Sequence, residues 1–337
     1  AGIYISNGQI DVIREIKFTK ATGSCIKVRK GNLKLIIVNS KFHGSNSHKH
    51  GAVFAEYVDK IAFANLTIAQ NDGFNGGAFQ CQFCKSIFIH TCYLLQNHAK
   101  KLGGCLYATQ SSKIIISNSV FQGSRAQEGG SLFFLNYDYV AIFSCRFLGN
   151  RATHFGGVIH LSRSTKSIVV FSFCHFYNNT AVTKGGTLSI QMVKYLQFKN
   201  IVLTTSNLCQ VASVDLNFNS MLAKDVFITS IRLNIVIMKM FIIHSASAYL
   251  SNIRFACPHQ SYLKEMSFIV KEESVLKLSY KCMECITGLY IVQHDSFHID
   301  RVVDINNHIK DKPYFCHKCP NTAIFNKGHI HALPNHW

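Results

Sequence analysis

Proline is scarce in this chain of 337 residues: there are four, and only Pro258 precedes residue 313. No proline-rich or low-complexity stretch interrupts it, so neither a collagen-like rod nor a disordered tether is encoded. Acidic residues are also few, 17 against 35 Lys and Arg, for a formal charge of +18. An excess of that size favours polyanions, acidic surfaces or acidic partner chains. No apolar run reaches the about 20 residues that span a bilayer. The longest, 233–243, is broken by Asn234 and Lys239 and reads as a buried strand. No signal peptide is visible and residue 1 is Ala, so the chain reads as a mature or partial product. Amphipathic helical faces are missing too. Hydrophobic residues still make up 48%, and 26 residues are Phe, enough for a continuous core.

What the chain has is a repeat. GGAF at 76–79, GGCL at 103–106, GGSL at 129–132, GGVI at 156–159 and GGTL at 185–188 follow a degenerate HGAV at 50–53. The second glycines, Gly51, Gly77, Gly104, Gly130, Gly157 and Gly186, are 26 to 29 residues apart. Each is followed by a bulky apolar landmark: Ile68, Leu94, Phe121, Phe147, Phe176 and Leu203. Three residues beyond the landmark stand Asn71, Asn97, Ser124, Asn150, Asn179 and Ser206. Three before it stand Asn65, Thr91, Asn118, Ser144, Phe173 and Asn200, of which only Phe173 is apolar. Asn39, Phe42 and Ser45 repeat the pattern ahead of Gly51.

The runs 61–68, 87–94, 114–121, 140–147 and 168–176 have the β-branched and aromatic composition of strands. A fixed period with strand composition predicts a solenoid. Each turn would hold two or three short strands, stacked on their equivalents one period away at about 4.8 Å. A sandwich with glycine turns does not keep three landmarks in phase. Stacking assigns the roles: polar residues at turns form ladders, the apolar landmark fills the interior, and the glycines permit positive φ or close approach.

Phe147-Leu148-Gly149-Asn150 with GGVI, and Phe176-Tyr177-Asn178-Asn179 with GGTL, resemble the repeats of chlamydial polymorphic outer-membrane proteins. More broadly the pattern is similar to right-handed β-helices of the pectin-lyase-like superfamily. The resemblance speaks to architecture rather than activity. The fold expected is all-β, a right-handed parallel β-helix of about nine to eleven turns. It would occupy 1–256, regular over about 25–207 and irregular over 208–256, where the double glycine is lost. A small cysteine-rich module would occupy 257–337.

That module holds Cys257, Cys282, Cys285, Cys316 and Cys319. In a reducing compartment Cys282, Cys285, Cys316 and Cys319 suit a four-thiolate zinc site; in an oxidising one the same residues are disulfide partners. The surrounding YKCMECITGLY and CHKCP resemble EGF-like and ephrin-receptor-like repeats. They are similar in particular to the segment that follows β-helix ectodomains in large ciliate membrane proteins. That resemblance implies disulfides among the five cysteines and a membrane anchor outside this chain. Most cysteines of the turns read as buried small hydrophobes, with Cys81 and Cys84 the candidate bridging pair. Cys92 and Cys145 share a register but stand two turns apart, beyond the about 7 Å that a disulfide allows.

Lys34, Lys60, Lys85, Lys113, Lys166 and Lys194 each precede a central strand, eight or nine residues after the repeat mark. Stacked, they would form a polyanion-binding stripe. Of two glycosylation sequons, Asn65 stands on a ladder position and is expected inward, whereas Asn178 lies in a turn and is the candidate acceptor. Catalysis finds no support. Asp59 and Asp138 share a register three turns apart, Asp72 and Glu128 stand alone, and the Arg151 and Arg163 pair has no acids nearby. Nucleophile elbows, phosphate loops and H-E-x-x-H are absent.

The function expected is non-enzymatic: a structural or adhesive extracellular segment of a larger membrane-anchored protein. It would bind partner chains or acidic glycans through its lateral faces and need no cofactor. Nucleic acid is not an expected partner, because the aromatic landmarks face the core. The alternatives are a β-helix enzyme acting on acidic polysaccharide and an intracellular scaffold subunit with a zinc-bound tail.

Overall fold

The computed structural model describes residues 2–6, 10–162, 164, 167–183 and 185–191, without the side chains of 10–11 and 30–33; beyond residue 191 it describes only the backbone of separate strands. The chain winds as an all-β parallel solenoid of about seven turns. Registers follow the glycine marks: Leu106 lies between Phe79 and Leu132, and Phe121 between Leu94 and Phe147. Parallel pairing continues along the backbone, with Val214–Asn217 on Leu188–Gln191 and Asp225–Asn234 on Tyr195–Thr204. Phe241–His244 then takes an antiparallel partner, Val275–Glu284. The side chains of the expected cysteine-rich module, Cys257, Cys282, Cys285, Cys316 and Cys319, lie outside the described residues.

Each turn has four straight segments where two or three were expected. In the turn opened by Gly104 the first two belong to one bent strand, Leu106–Ser117; Val120–Gln122 and Arg125–Glu128 follow. The first three segments of every turn join one continuous sheet. The fourth forms a separate five-stranded sheet of Asp72–Asn75, His98–Leu102, Arg125–Glu128, Arg151–Phe155 and Thr180–Ala181.

Backbone hand makes the corners, each a single residue in the left-handed region. Tyr57, Phe83, Gln110 and Asn136 (φ 52° to 57°) separate the first and second segments. Asn39, Asn65, Thr91, Asn118, Ser144 and Phe173 (φ 49° to 54°) separate the second and third. Gly44, Gln70, Gln96, Gly123, Gly149 and Asn178 (φ 52° to 66°) separate the third and fourth. The first glycine of each pair, φ 59° to 62°, closes the turn. Asn tolerates this conformation better than most residues, which is why it recurs three places before the landmark. Runs such as 114–121 are therefore two segments divided by a corner, here Asn118.

The second glycine answers a different need. A Cβ on Gly104 would come within 2.2 Å of the Gly130 carbonyl oxygen, one on Gly130 within 2.1 Å of that of Gly157, and one on Gly157 within 2.0 Å of that of Gly186. Main chains of successive turns nearly touch there, so no side chain fits.

After each corner the next residue points inward, which sorts the core into columns. Val58, Cys84, Ser111 and Tyr137 make one; Ser40, Leu66, Cys92, Ser119, Cys145 and Cys174 another. The third column is the asparagine ladder. Asn71 Oδ1 accepts from Ser45 N at 2.9 Å, Asn97 Oδ1 from Asn71 N at 3.1 Å, Asn150 Oδ1 from Ser124 N at 2.9 Å and Asn179 Oδ1 from Asn150 N at 2.9 Å. The amides donate in turn to carbonyls of the preceding turn: Asn97 to Ile68, Asn150 to Phe121, Asn179 to Phe147. Ser124 is too short to span the gap, and the Cys105 thiol fills it, 2.9 Å from Ser124 Oγ and 3.9 Å from Asn97 Nδ2. Beside the ladder the landmarks stack: Phe121 on Phe147 and Phe147 on Phe176, both with centroids 4.9 Å apart. Facing them, the five-stranded sheet turns inward only Gly73, Ala99, Ala126, Ala152 and Ala181.

The alternation between 26 and 27 residues is also explained. The 26-residue turns opened by Gly51 and Gly104 have four-residue fourth segments, Asp72–Asn75 and Arg125–Glu128. The 27-residue turns opened by Gly77 and Gly130 have five, His98–Leu102 and Arg151–Phe155, each marked by a register irregularity.

Candidate functional site

The lysines form a broken stripe. Lys34 pairs with Lys60, and Ser86 stands between Lys60 and Lys113 in the same column. Lys85 lies one place earlier, in register with Asp59, and its ammonium is 2.6 Å from that carboxylate. The column continues as Tyr139 and Ile168; Lys166 and Lys194 lie outside the described residues. One residue makes the difference, since only a lysine nine places after the glycine reaches the column. Lys60 Nζ sits 5.0 Å from the centre of the Phe88 ring and Lys113 Nζ 6.0 Å from that of Tyr139, each on the next turn.

Both sequon asparagines are corner residues and both are exposed. For Asn178 this is the expected position. For Asn65 it corrects the inward expectation. The ladder proper is the column three places beyond the landmark, and the left-handed corner points Asn65 outward, where its amide donates to Asn39 Oδ1 at 2.8 Å.

Cys25, Cys81, Cys84, Cys92, Cys105, Cys145 and Cys174 are buried free thiols. The Cys81 and Cys84 pair is therefore unbridged. Cys84 Sγ donates to the Gln82 carbonyl at 3.5 Å, and the hydrogen bond with Cys84, then burial, push the Cys81 thiol well above its ordinary range. Burial pushes Cys92 up to about 11 and Cys174 to about 12. Thiols this protonated are poor nucleophiles and metal ligands. Cys174 stacks directly over Cys145, a neighbour hidden in sequence by two extra residues before the strand Ile168–Ser172.

Several carboxylates of the solenoid sit beside a basic side chain one turn away. Glu56 Oε2 is 3.1 Å from Arg29 Nε, Asp72 Oδ1 3.0 Å from His98 Nδ1, and Glu128 Oε2 3.8 Å from His160 Nε2. His160 is 3% exposed, wedged between the Phe133 and Phe155 rings at 5.3 and 5.6 Å. Burial lowers its pKa to about 4 and raises that of Glu128. At 3.8 Å the carboxylate is beyond hydrogen-bond reach, so desolvation prevails. Among the described residues no cluster of His, Cys, Asp or Glu could hold a metal ion, and no helix is long and apolar enough to cross a membrane.

The sequence reading missed the outer face of the five-stranded sheet. Its first column runs Asp72, His98, Arg125, Arg151, Thr180. Arg125 and Arg151 are exposed and adjacent, so the neighbour of Arg151 in space is Arg125; Arg163 lies outside the described residues. The recurring dipeptides His98-Ala99, Arg125-Ala126 and Arg151-Ala152, 26 or 27 residues apart, were the available signal.

No family profile and no solved structure matches the chain. It is 26% identical over 170 residues to a protein of Dictyostelium discoideum described as "Metabotropic glutamate receptor-like protein R", a match covering 50% of this chain and 10% of that protein. The chain thus spans about a tenth of that relative's length.

Proposed function

We propose that this chain is a non-enzymatic structural and adhesive stretch of a longer cell-surface protein, a β-helix of the pectin-lyase-like kind that binds partner chains or acidic glycans through its lateral faces. The observation that carries this reading is the stack itself. Every outward position recurs one turn further along the axis, so a sheet face is a row of side chains at a fixed spacing that suits a linear or repetitive partner. The paired state of Glu56, Asp59 and Asp72 supports binding over hydrolysis, which needs free carboxylates facing one bond. The partial likeness to a receptor-like protein supports the cell-surface placement. Labelling intact producing cells with a membrane-impermeant amine reagent tests it. The protein should be labelled without permeabilisation; labelling only after lysis would overturn the reading.

A further inference from the structure

We infer that the outer face of the five-stranded sheet binds sulfated polysaccharide, with the in-register pair Arg125 and Arg151 at its centre. The inference rests on the glycan-binding reading above and specifies where and how that binding occurs.

The Arg pair differs from the charges that have a partner. Arg29, Lys85 and His98 each have a carboxylate one turn away. The side chains of Arg125 and Arg151 have neither an ion pair nor a hydrogen bond among the described residues, although they are opposite each other on adjacent strands, about 4.8 Å apart along the axis. Like charges directly opposite on a sheet are destabilising, and nothing in the fold requires them here. Basic residues extend the row. His98 is next in the column, and Lys100 and Lys101 stand on the same strand, with Lys101 Nζ 5.1 Å from the Phe74 ring centre.

A second observation points to the same face. The extra residue of each 27-residue turn is inserted in this sheet, at the irregularities within His98–Leu102 and Arg151–Phe155. Bulges of this kind re-aim side chains and cluster beside functional sites. Behind the face, the small column of Ala99, Ala126 and Ala152 is buried against the core, so the Arg side chains leave a backbone anchored on its inner side. A pre-organised row of donors loses little freedom when an anion arrives.

Ligand chemistry follows from the side chains. A guanidinium fork donates two parallel N–H bonds to an oxyanion such as sulfate. Gln127 and Thr153, exposed beside the arginines, suit sugar hydroxyls. Single-stranded nucleic acid needs exposed rings for base stacking, and a membrane surface needs apolar side chains to insert. This face offers neither: its one ring in a cation contact, Phe74, is only partly exposed and lies under Lys101. The lysine column on the other sheet is less continuous, because Ser86 interrupts it, Tyr139 ends it and Lys85 is held by Asp59.

The test is retention of the whole chain on immobilised heparin at 0.15 M salt (about physiological), comparing the R125Q/R151Q and K60Q/K113Q variants, with circular dichroism confirming that both fold. The Arg variant should bind heparin on the order of tenfold more weakly, the Lys variant nearly as well as the parent, and desulfated heparin should not compete. Equal retention of the Arg variant and the parent overturns the inference. Loss confined to the Lys variant overturns it while leaving the glycan-binding rod intact. Absence of parent retention on both native and desulfated heparin removes both. Equal competition by polyglutamate or polyuridylate also overturns it, by showing a preference for charge alone.

Discussion

Removing one rung of the asparagine ladder tests the stacking argument at its most specific point. Asn150 is fully buried, and its Oδ1 is the acceptor for the Ser124 N–H at 2.9 Å. Its amide donates to the Phe121 carbonyl at 3.0 Å and to Asn179 Oδ1 at 3.1 Å. In Asn150→Ala the Ser124 donor is orphaned in the core, which costs about 1–3 kcal/mol, and losing the bond to Phe121 adds about 1 kcal/mol. A loss of about 3 kcal/mol is expected, a large share of the about 5–15 kcal/mol that holds a domain together. Urea unfolding followed by circular dichroism reads the difference, and amide exchange at Ser124 should accelerate in step. Asn150→Asp separates the two functions of the side chain. It keeps the acceptor for Ser124 but has no donor for Phe121, and it buries a charge. Its folded pKa would rise above the unfolded value of about 3.9, so the penalty grows as pH rises past that value and fades below it. Asp should therefore be worse than Ala at neutral pH and recover in acid. A loss below about 0.5 kcal/mol for Ala, or an Asp variant indifferent to pH, would refute the ladder as a source of stability.

Other outcomes follow from the corners, the packing and the titratable groups. Gly130→Ala should cost about 3 kcal/mol or more, because its Cβ would meet backbone oxygen at 2.1 Å. Gly149→Ala, with φ 60° but nothing within 4 Å, should cost only about 1 kcal/mol; equal urea midpoints would contradict the two glycine roles. Phe173→Asn should raise the melting temperature by the equivalent of about 1 kcal/mol, since Phe173 holds a left-handed corner (φ 53°) while 52% exposed. A lower melting temperature would argue against that corner. His160 titrates at about 4 when folded against 6.5 unfolded. The unfolded state therefore takes up the proton first, and stability is complete above pH 6.5 and falls as pH drops toward 4, by about 3 kcal/mol in all. His160→Gln should flatten that limb of the stability curve, and an unchanged curve would exclude His160 as its source. For the tail, Cys257, Cys282, Cys285, Cys316 and Cys319 should gain alkylation mass only after reduction; full alkylation without reductant would exclude disulfides there.

The architecture was legible because like sits over like. Gly77, Gly104, Gly130 and Gly157 are spaced by the circumference of a turn, and Leu94, Phe121 and Phe147 by the same distance. The four-cornered cross-section was not, because a corner residue needs no distinctive chemistry. Asn118 announces a left-handed φ, but Gln110 at φ 52° and Tyr57 at φ 57° do not. The lysine stripe is interrupted for a related reason. Lys85 and Lys60 differ by one place in their distance from the glycine, and on a strand one place is a different column. Asn65 was misplaced because two polar columns flank each landmark, and hydropathy alone does not say which one turns inward.

The decisive information lay in the departures from the repeat. Spacings of 26, 27, 26 and 27 residues look like noise around a mean. Placed on the structure, each additional residue goes to the fourth segment, and the three inner columns stay in phase. A single residue inserted within a straight stretch of the first three segments would turn its neighbours to the opposite face. The turn opened by Gly157 instead takes two extra residues ahead of Ile168–Ser172, and Asn179 still meets Asn150. The fourth segment tolerates a single insertion because its inward residues are Ala and Gly, with no large side chain to misplace. The single-residue drift between 26 and 27 therefore marks a segment where the core is indifferent to register, and that is where the surface is free to carry Lys100, Lys101, Arg125 and Arg151. In a β-solenoid of unknown partner, the segment whose length drifts while the ladders hold is the first place to look for a binding face.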